Sequence, residues 1–339
     1  MKTPFYSIHK DIGARFTDFN GWQMPLDYGS VKDEVLAVRQ SCGIFDVSHM
    51  GRFLVRGYEA LQKLNYLTTN NLQKLKVGKV QYNLITNEKG GIKDDITVYM
   101  LSEDELLLCV NAGNRQKVKE HLSNFVEVLD ISQNLLQIAV QGKESPEVIS
   151  KFFPVKDLKY YHFKRMDDFI VSRTGYTGGP GYEIYGPVDR TLQLFRELLN
   201  YARPCGLAAR DVLRIEAGFP LYGKELSEDI TPLEAALDKF VDFEKDFLGK
   251  QAMLSKKVEK KLFGLELLER GVPRSGYRVL HEGKPIGVVS SGTYSYTLDR
   301  GIALCFVDVN FRQEGLEVEV EVRDRRLKGR LRSYPFVKA

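Results

Sequence analysis

Hydrophobic positions along this chain recur in two rhythms, and the balance between them changes after Val241. Up to that point helical spacing and strand alternation are interleaved. Val31, Val35, Val38 and Cys42 recur at helical spacing behind Ser30, which forms a capping-box pattern with Asp33, and Gly43 supplies the expected C-terminal stop. Residues 52–56 alternate as a strand, and 59–67 form an amphipathic helix. Residues 80–86 and 92–101 read as strands paired through the turn NEKGG, 106–111 as a third strand and 114–125 as a helix. A further strand at 135–141 runs into a turn at Gly142 and a helix near Ser145-Pro146. The stretch 171–186 is a strand broken by a glycine-rich turn that re-emerges as Tyr182-Glu183-Ile184-Tyr185. A helix is expected from about Ala208, and Thr231-Pro232-Leu233-Glu234 reads as another helix start. Beyond Val241 comes a short amphipathic segment at 249–256. Mostly alternating strands follow, with turns at HEGKP, SSGT and LDRG, which together read as an all-β barrel or sandwich of roughly 80–100 residues.

Composition narrows the class. A chain of 339 residues exceeds what one hydrophobic core organises, so two or three domains of roughly 100–200 residues each are expected. With 43% hydrophobic and 28% charged residues it reads as soluble and globular. The formal charge of +4 permits an anionic ligand or an acidic partner but falls short of a dedicated nucleic-acid binder. Cys42, Cys109, Cys205 and Cys305 are far apart and form no CxxC pair, so they read as reduced structural thiols in the cytoplasm. Residues 1–9 lack the apolar core of a signal peptide, and no run approaches the roughly 18 apolar residues of a membrane span. The basic run RDRRLKGRLR at 323–332 is either a solvated hairpin or a docking patch for an acidic partner.

The chemistry concentrates in GGIKDDITVY, residues 90–99. Acids are disfavoured inside such a β-branched run, because an unpaired carboxylate on a packed face costs several kcal/mol or takes up a proton. Strand alternation sends Asp95, Thr97 and Tyr99 to one face and Asp94, Ile96, Val98 and Met100 to the other, so the two acids are not expected to act as a dyad. The competing reading is a hairpin whose Asp pair caps an exposed strand end. His49 and Asp46 suggest a catalytic pair, yet no nucleophile accompanies them and a structural histidine is the simpler reading. The glycines of 171–186 fit neither GxGxxG nor a P-loop, so they are assigned to a tight bend or a close approach to a ligand. Glu183, between two tyrosines, either faces solvent or accepts two parallel N–H bonds, as the edge of an aminopyrimidine would supply. Arg210 and Arg214 share a helix face and form either a salt-bridge ladder or an anion site.

Taken together, GW.MP.DYGS, GIFDVSHMG, NEKGGIKDDITVY, VNAGNR, SRTGYTG..GYEI, CGLAARDVLRIEAG with PLYGKEL, and GVVSSGTYSYTL resemble one family along essentially the whole chain: the aminomethyltransferases, or T-proteins, of the glycine cleavage system. The resemblance implies an α+β fold of three domains around a central folate channel. These are a discontinuous folate-binding domain at 1–53 and 143–239, an inserted α+β domain at 54–142, and a C-terminal β domain at 240–339. It also implies transfer of a methylene group from an aminomethyl-lipoyl arm on the partner H-protein to tetrahydrofolate, with release of ammonia. The P- and L-proteins would act in the same pathway, and no metal, nucleic acid or membrane is implied. Carried over by residue, Asp95 matches the acid near folate N10, where a carboxylate can orient the amine and stabilise developing positive charge. Glu183 matches the pterin-binding glutamate and Arg210 a substrate-binding arginine that touches folate or orients Glu183. Tyr82, Tyr99, Asn111, Tyr161 and Tyr176 match positions lining the folate cavity, with Met50 as an apolar wall. On this reading Asp94 is structural, and Gly90 and Gly91 leave room for the chain to turn beside a planar ligand.

The sequence departs from the family pattern at Gly179, where Glu is usual after YTG, at Ala208 in CGLAARD, and at Tyr296 in SYTL. These departures bear on loop geometry and the far end of the channel, not on Asp95, Glu183 or Arg210. Two rivals share the scaffold. One is a folate-dependent demethylase or the folate domain of a sarcosine or dimethylglycine dehydrogenase, against which no flavin-binding half is expected ahead of Met1. The other is a folate-binding factor in iron-sulphur repair, whose cysteine-containing K-G-C-x-x-G-Q-E segment is here PLYGKELSE, without cysteine.

Overall fold

The structure, a computed structural model, describes every residue except Tyr58, Arg323, Asp324 and Ala339. The chain divides into two compact units, one of residues 1–85 and 94–210 and the other of 86–93 and 211–338.

The first unit holds two large sheets. In one, the strands lie in the order Phe163–Met166, Phe169–Ser172, Gly181–Pro187, Leu135–Gln141, Gly43–Asp46 and Arg203–Pro204, all antiparallel except the last pair. In the other the order is Val80–Thr86, Ile92–Met100, Glu105–Val110, Gly51–Arg56 and Glu127–Asp130. Strand Leu135–Gln141 illustrates how the alternation works. Leu136, Ile138 and Val140 enter an apolar core with Phe5, Ile184, Phe195 and Leu198, whereas Gln137, Ala139 and Gln141 face the other way. A smaller apolar cluster joins the two sheets, with Tyr99 and Leu107 from one against Phe163 and Tyr185 from the other.

In the second unit six antiparallel strands close a barrel, in the order Lys260–Leu267, Arg300–Asp308, Lys284–Ser295, Arg278–His281, Glu317–Val322 and Arg325–Arg332. Closure leaves no open edge, and Leu265, Val279, Val289, Cys305, Val320 and Leu331 fill the interior. This resolves the barrel-or-sandwich alternative as a barrel. The basic run expected to form a hairpin supplies the last strand, with Arg323 and Asp324 outside the described residues. Glu266, almost wholly buried, accepts from Arg330 and, at 2.7 Å, from Arg332. Burial pushes this carboxyl up, but the arginine hydrogen bonds outweigh it and hold the group below its usual range.

Most element boundaries agree with the sequence rhythm to within a residue or two, and three expectations are corrected. Ser30 does cap helix Val31–Gln40, its Oγ accepting from the Asp33 N–H at 3.2 Å, but Gly43 is no helix stop. It opens strand Gly43–Asp46, and a Cβ there would lie 2.5 Å from Val38 Cγ2 and 2.8 Å from Cys205 Sγ. Thr231 closes a capping box with Glu234, yet no α-helix follows: the chain makes turns, Ala236 takes φ 56°, and only a single 3-10 turn forms at Asp238–Phe240. Gly90 and Gly91 do not make room for a ligand. Gly91 passes so close to the Glu228 carbonyl that a Cβ would sit 1.7 Å from the oxygen, and Gly90 abuts Met253. Within the second unit that hairpin tip is fastened by Ile92 N–H to Ser227 and Ile230, and by Asn87 Nδ2 to the Glu228 carbonyl at 3.0 Å.

All four cysteines are free and buried. Among the described residues no helix is long and apolar enough to cross a membrane.

Candidate active site

Asp94 and Asp95 sit on strand Ile92–Met100 where its faces alternate, and the fold treats them differently. Asp94 is fully buried and accepts three donors: the Asn111 backbone N–H at 3.0 Å, Asn111 Nδ2 at 2.8 Å and Asn114 Nδ2 at 2.6 Å. Asp95 keeps partial exposure and accepts from the Tyr82 hydroxyl at 3.0 Å and from Asn111 Nδ2 at 2.7 Å. One amide nitrogen therefore serves both acids, with one hydrogen for each. The expectation that the acids work independently is corrected here. They face apart, but they share Asn111, and the charge of Asp95 acts on Asp94. Burial, then the charge of Asp95, pushes the Asp94 carboxyl up to about 7, and burial raises Asp95 as well. The charge of Asp95 acts on Asp94, while hydrogen bonds from Tyr82 and Asn111 oppose the rise of Asp95.

Glu183 lies on Gly181–Pro187, between strands Phe169–Ser172 and Leu135–Gln141. Its Oε2 accepts from Thr174 Oγ1 at 2.6 Å and its Oε1 from Gln137 Nε2 at 3.2 Å, and the carboxylate stays partly accessible. Each oxygen retains lone-pair capacity for a further donor. Tyr161 connects the two carboxylates electrostatically, for burial, Tyr160 and the charges of Glu183 and Asp95 all raise its phenol. Its φ of 57° is uncommon for a bulky residue, and the fold holds it there through Tyr161 N–H to the Arg173 carbonyl at 3.0 Å and Val80 N–H to the Tyr161 carbonyl at 2.8 Å.

Arg210, on helix Leu207–Ala217, places its guanidinium 4.7 Å over the Tyr176 ring. Among the described residues it has no hydrogen bond or ion pair. Burial lowers its proton affinity while the charge of Glu183 raises it. The salt-bridge ladder foreseen for this helix applies only to Arg214, which is buried in the second unit against Glu225 at 3.0 Å and Asp211 at 2.9 Å. Met50 sits partly exposed in the loop between Gly43–Asp46 and Gly51–Arg56, a loop held from below by the buried Arg52 guanidinium on the Ser48 and Met50 carbonyls.

Asp95, Glu183, Arg210, Tyr82, Asn111, Tyr161, Tyr176 and Met50 all fall in the first unit and all retain partial exposure. Tyr99 does not: it has no accessible surface, and its hydroxyl bonds Tyr185 at 2.9 Å and Ser172 at 3.3 Å. It supports the site from within instead of presenting a ring to a ligand. Asp46 pairs with His9 at 3.1 Å, not with His49, and His9 in turn meets the Tyr28 hydroxyl at 2.8 Å. His49 is buried with Nδ1 unpartnered, and burial lowers its proton affinity to about 4, so it is neutral at pH 7.

Two residues were missed from the sequence. Gln137 holds Glu183, and Gln141 fastens the glycine-rich loop: its Nε2 donates to the Thr174 and Tyr182 carbonyls, and Thr177 Oγ1 donates to its Oε1. A Cβ at Gly175 or Gly181 would strike that Oε1 at 2.0 or 2.3 Å, so these glycines admit a buried amide, not a ligand. The available signal was the face Gln137, Ala139, Gln141, where two amides stand opposite a wholly apolar face of the same strand. No group of His, Cys, Asp and Glu side chains suited to a metal occurs among the described residues.

Comparison with known proteins gives one answer along the whole length. A family model described as the GCVT N-terminal domain matches residues 5–245, and one described as the glycine cleavage T-protein C-terminal barrel domain matches residues 260–338. The aminomethyltransferase of Aquifex aeolicus (strain VF5) is 63% identical over 338 residues, covering 100% of this chain and 96% of the relative. That of Thermus thermophilus is 45% identical over 353 residues, covering 99% of each. The crystal structure of glycine cleavage system aminomethyltransferase T from Bartonella henselae superposes with a TM-score of 0.95 at 34% identity, covering 100% of this chain and 98% of that one.

Proposed function

This chain belongs to the glycine cleavage T-protein family and is a folate-dependent aminomethyltransferase, and from that premise we propose how its residues divide the work. The substrates are the aminomethyl-dihydrolipoyl arm of H-protein and tetrahydrofolate. Carbon–nitrogen cleavage releases ammonia from the aminomethyl thioether, and the methylene carbon is then bonded to both folate amine nitrogens as its bond to sulphur breaks. Of the two protons those nitrogens give up, one ends on the lipoyl thiol and the other completes the departing ammonia. The products are 5,10-methylenetetrahydrofolate and dihydrolipoyl H-protein, and the P- and L-proteins act on the same carrier. The proposal includes a cytoplasmic location, no metal, and the three-domain division at 1–53 with 143–239, 54–142 and 240–339.

The observation that carries the assignment of residues is the pair of partly accessible carboxylates in one unit, each fixed by neutral donors and both within electrostatic reach of Tyr161. Asp95 orients the folate amine against the methylene carbon and stabilises the cationic character that develops there. Tyr82 and Asn111 hold Asp95. Glu183 can only accept hydrogen bonds, so it selects a ligand edge with two parallel donors, such as the pterin N3-H and 2-amino group. Tyr161, Tyr176 and Met50 supply apolar faces, Arg210 is held over the Tyr176 ring, and Tyr99 contributes from behind Glu183.

The deciding experiment mixes the protein with tetrahydrofolate and aminomethyl-loaded H-protein and measures ammonia. Release dependent on both is expected; none with authentic partners would favour a demethylase-type rival. In the same assay Asp95→Asn is expected to cut kcat about a hundredfold or more with folate affinity little changed. Glu183→Ala is expected to weaken folate binding about tenfold or more by calorimetry. Unchanged turnover in the first, or unchanged affinity in the second, removes that residue from its role.

A further inference from the structure

Behind Glu183 lies a closed ring of hydrogen bonds, to which Ser172 Oγ adds a contact with the Glu183 backbone carbonyl at 3.3 Å. Gln137 is almost fully buried, and its Nε2 donates to Glu183 Oε1 at 3.2 Å and to the Tyr185 hydroxyl at 3.0 Å, which uses both hydrogens. Tyr185, having accepted, passes its own proton to the Tyr99 hydroxyl at 2.9 Å, and Tyr99 passes its proton to Ser172 Oγ at 3.3 Å. Ser172 gives its proton to Thr174 Oγ1 at 2.7 Å, and Thr174 gives its proton to Glu183 Oε2 at 2.6 Å. A carboxylate only accepts and an amide nitrogen only donates, so the two ends fix the direction of each hydroxyl between them. The amide itself is locked against flipping because its Oε1 accepts from the Cys109 thiol at 3.4 Å.

We infer that Gln137 is a positioning residue for the acceptor substrate: through this ring it holds the Glu183 carboxylate in one orientation, with both oxygens free to accept from a ligand. The inference rests on the pterin role proposed for Glu183. The ring also crosses from one sheet to the other. Tyr99 stands four residues beyond Asp95 on the same strand and the same face, so the ring sets the strand that carries Asp95 in register with the one that carries Glu183. A missing donor at Gln137 leaves Glu183 Oε1 and the Tyr185 hydroxyl unserved and lets the carboxylate rotate. Ligand ordering suffers; the chemistry at Asp95 does not, because the Tyr185–Tyr99–Ser172 links that set its strand remain.

Gln137→Met keeps length and apolar bulk while removing both donors, and it is compared in the wild-type and Glu183→Ala backgrounds. In the wild-type background the KM for tetrahydrofolate is expected to rise about tenfold, the size of one hydrogen bond to a charged group, with kcat at saturating folate within about twofold of wild type. In the Glu183→Ala background the same change is expected to alter KM by less than about twofold, because the residue acts through a group already gone. Thr174→Val, which removes the donor to the other oxygen, should reproduce the KM effect, and Thr174→Ser should restore it; this pair carries the test if Gln137→Met fails to fold. A KM unchanged by Gln137→Met, or raised by the same factor without Glu183, overturns the inference while leaving the role of Glu183 standing. A KM indifferent to Glu183→Ala itself overturns both.

Discussion

At the scale of single residues, two adjacent aspartates are given different tasks by strand alternation and then coupled again by one amide. Asp94 is fixed by three amide hydrogens and Asp95 by a phenol and a shared fourth, so the first is scaffold and the second keeps an accessible edge. A carboxyl raised by burial and by a like charge is neutral below its shifted pKa and charged above it. Stabilising a cationic methylene requires the charged form, so kcat/KM should fall as pH drops through the pair's titration, above the usual aspartate range of about 4. The groups facing the pair bear on the same profile: Tyr82 and Asn111 hydrogen-bond Asp95, Asn111 and Asn114 bond Asp94, and the Tyr82 and Tyr161 phenols, raised by burial, stay neutral as it titrates. Asp94 is raised by burial and by the charge of Asp95, whereas Asp95 is raised by burial and not by Asp94, so Asp94→Asn should leave the acid limb of the pH–rate profile in place. A limb that moves to lower pH shows instead that the charge of Asp94 holds Asp95 up.

At the scale of elements, buried polar side chains on strands explain features that glycine and periodicity alone left ambiguous. Gln141 accounts for Gly175 and Gly181 in the 174–181 turn, and the Glu228 carbonyl accounts for Gly91. Gly91→Ala forces backbone apart at a hairpin tip held by three backbone and amide hydrogen bonds. It should therefore destabilise the protein by about 1–3 kcal/mol or more, read as a lowered midpoint in thermal or urea unfolding; an unaltered midpoint means the tip yields freely. Elements themselves were largely legible. Strands 80–86 and 135–141 and the helix behind Ser30 follow directly from apolar spacing and caps. The exceptions are instructive. Thr231 forms the predicted cap, but the chain turns at Ala236 because local capping starts a helix and does not extend one. Gly43 has helix-stop character in sequence, yet it is needed where strand Gly43–Asp46 passes against Val38 and Cys205.

At the scale of the whole molecule, the chain enters its second unit twice, once at 86–93 and again from 211. Cutting after residue 210 therefore strips the hairpin tip of Ser227, Glu228 and Ile230 and leaves buried backbone groups unpaired. A 1–210 fragment is expected to lack a cooperative thermal transition by circular dichroism, where the full chain has one; a sharp transition in the fragment shows that the tip is dispensable. By itself the sequence determined the strand and helix rhythm, the all-β C-terminal part and, through motifs spread along its length, the family, and it pointed to Asp95 and Glu183 as the candidate site acids. Those are local or additive signals, carried by spacing and residue type. Only the tertiary structure decided that Asp94 and Asp95 share one amide, that Tyr99 lies buried behind Glu183, that His9 and not His49 meets Asp46, and that Gln137 holds the carboxylate. Each of these depends on which residues distant in sequence come within hydrogen-bond reach. Pairing across strands sets that, and the periodicity of a single strand does not encode it.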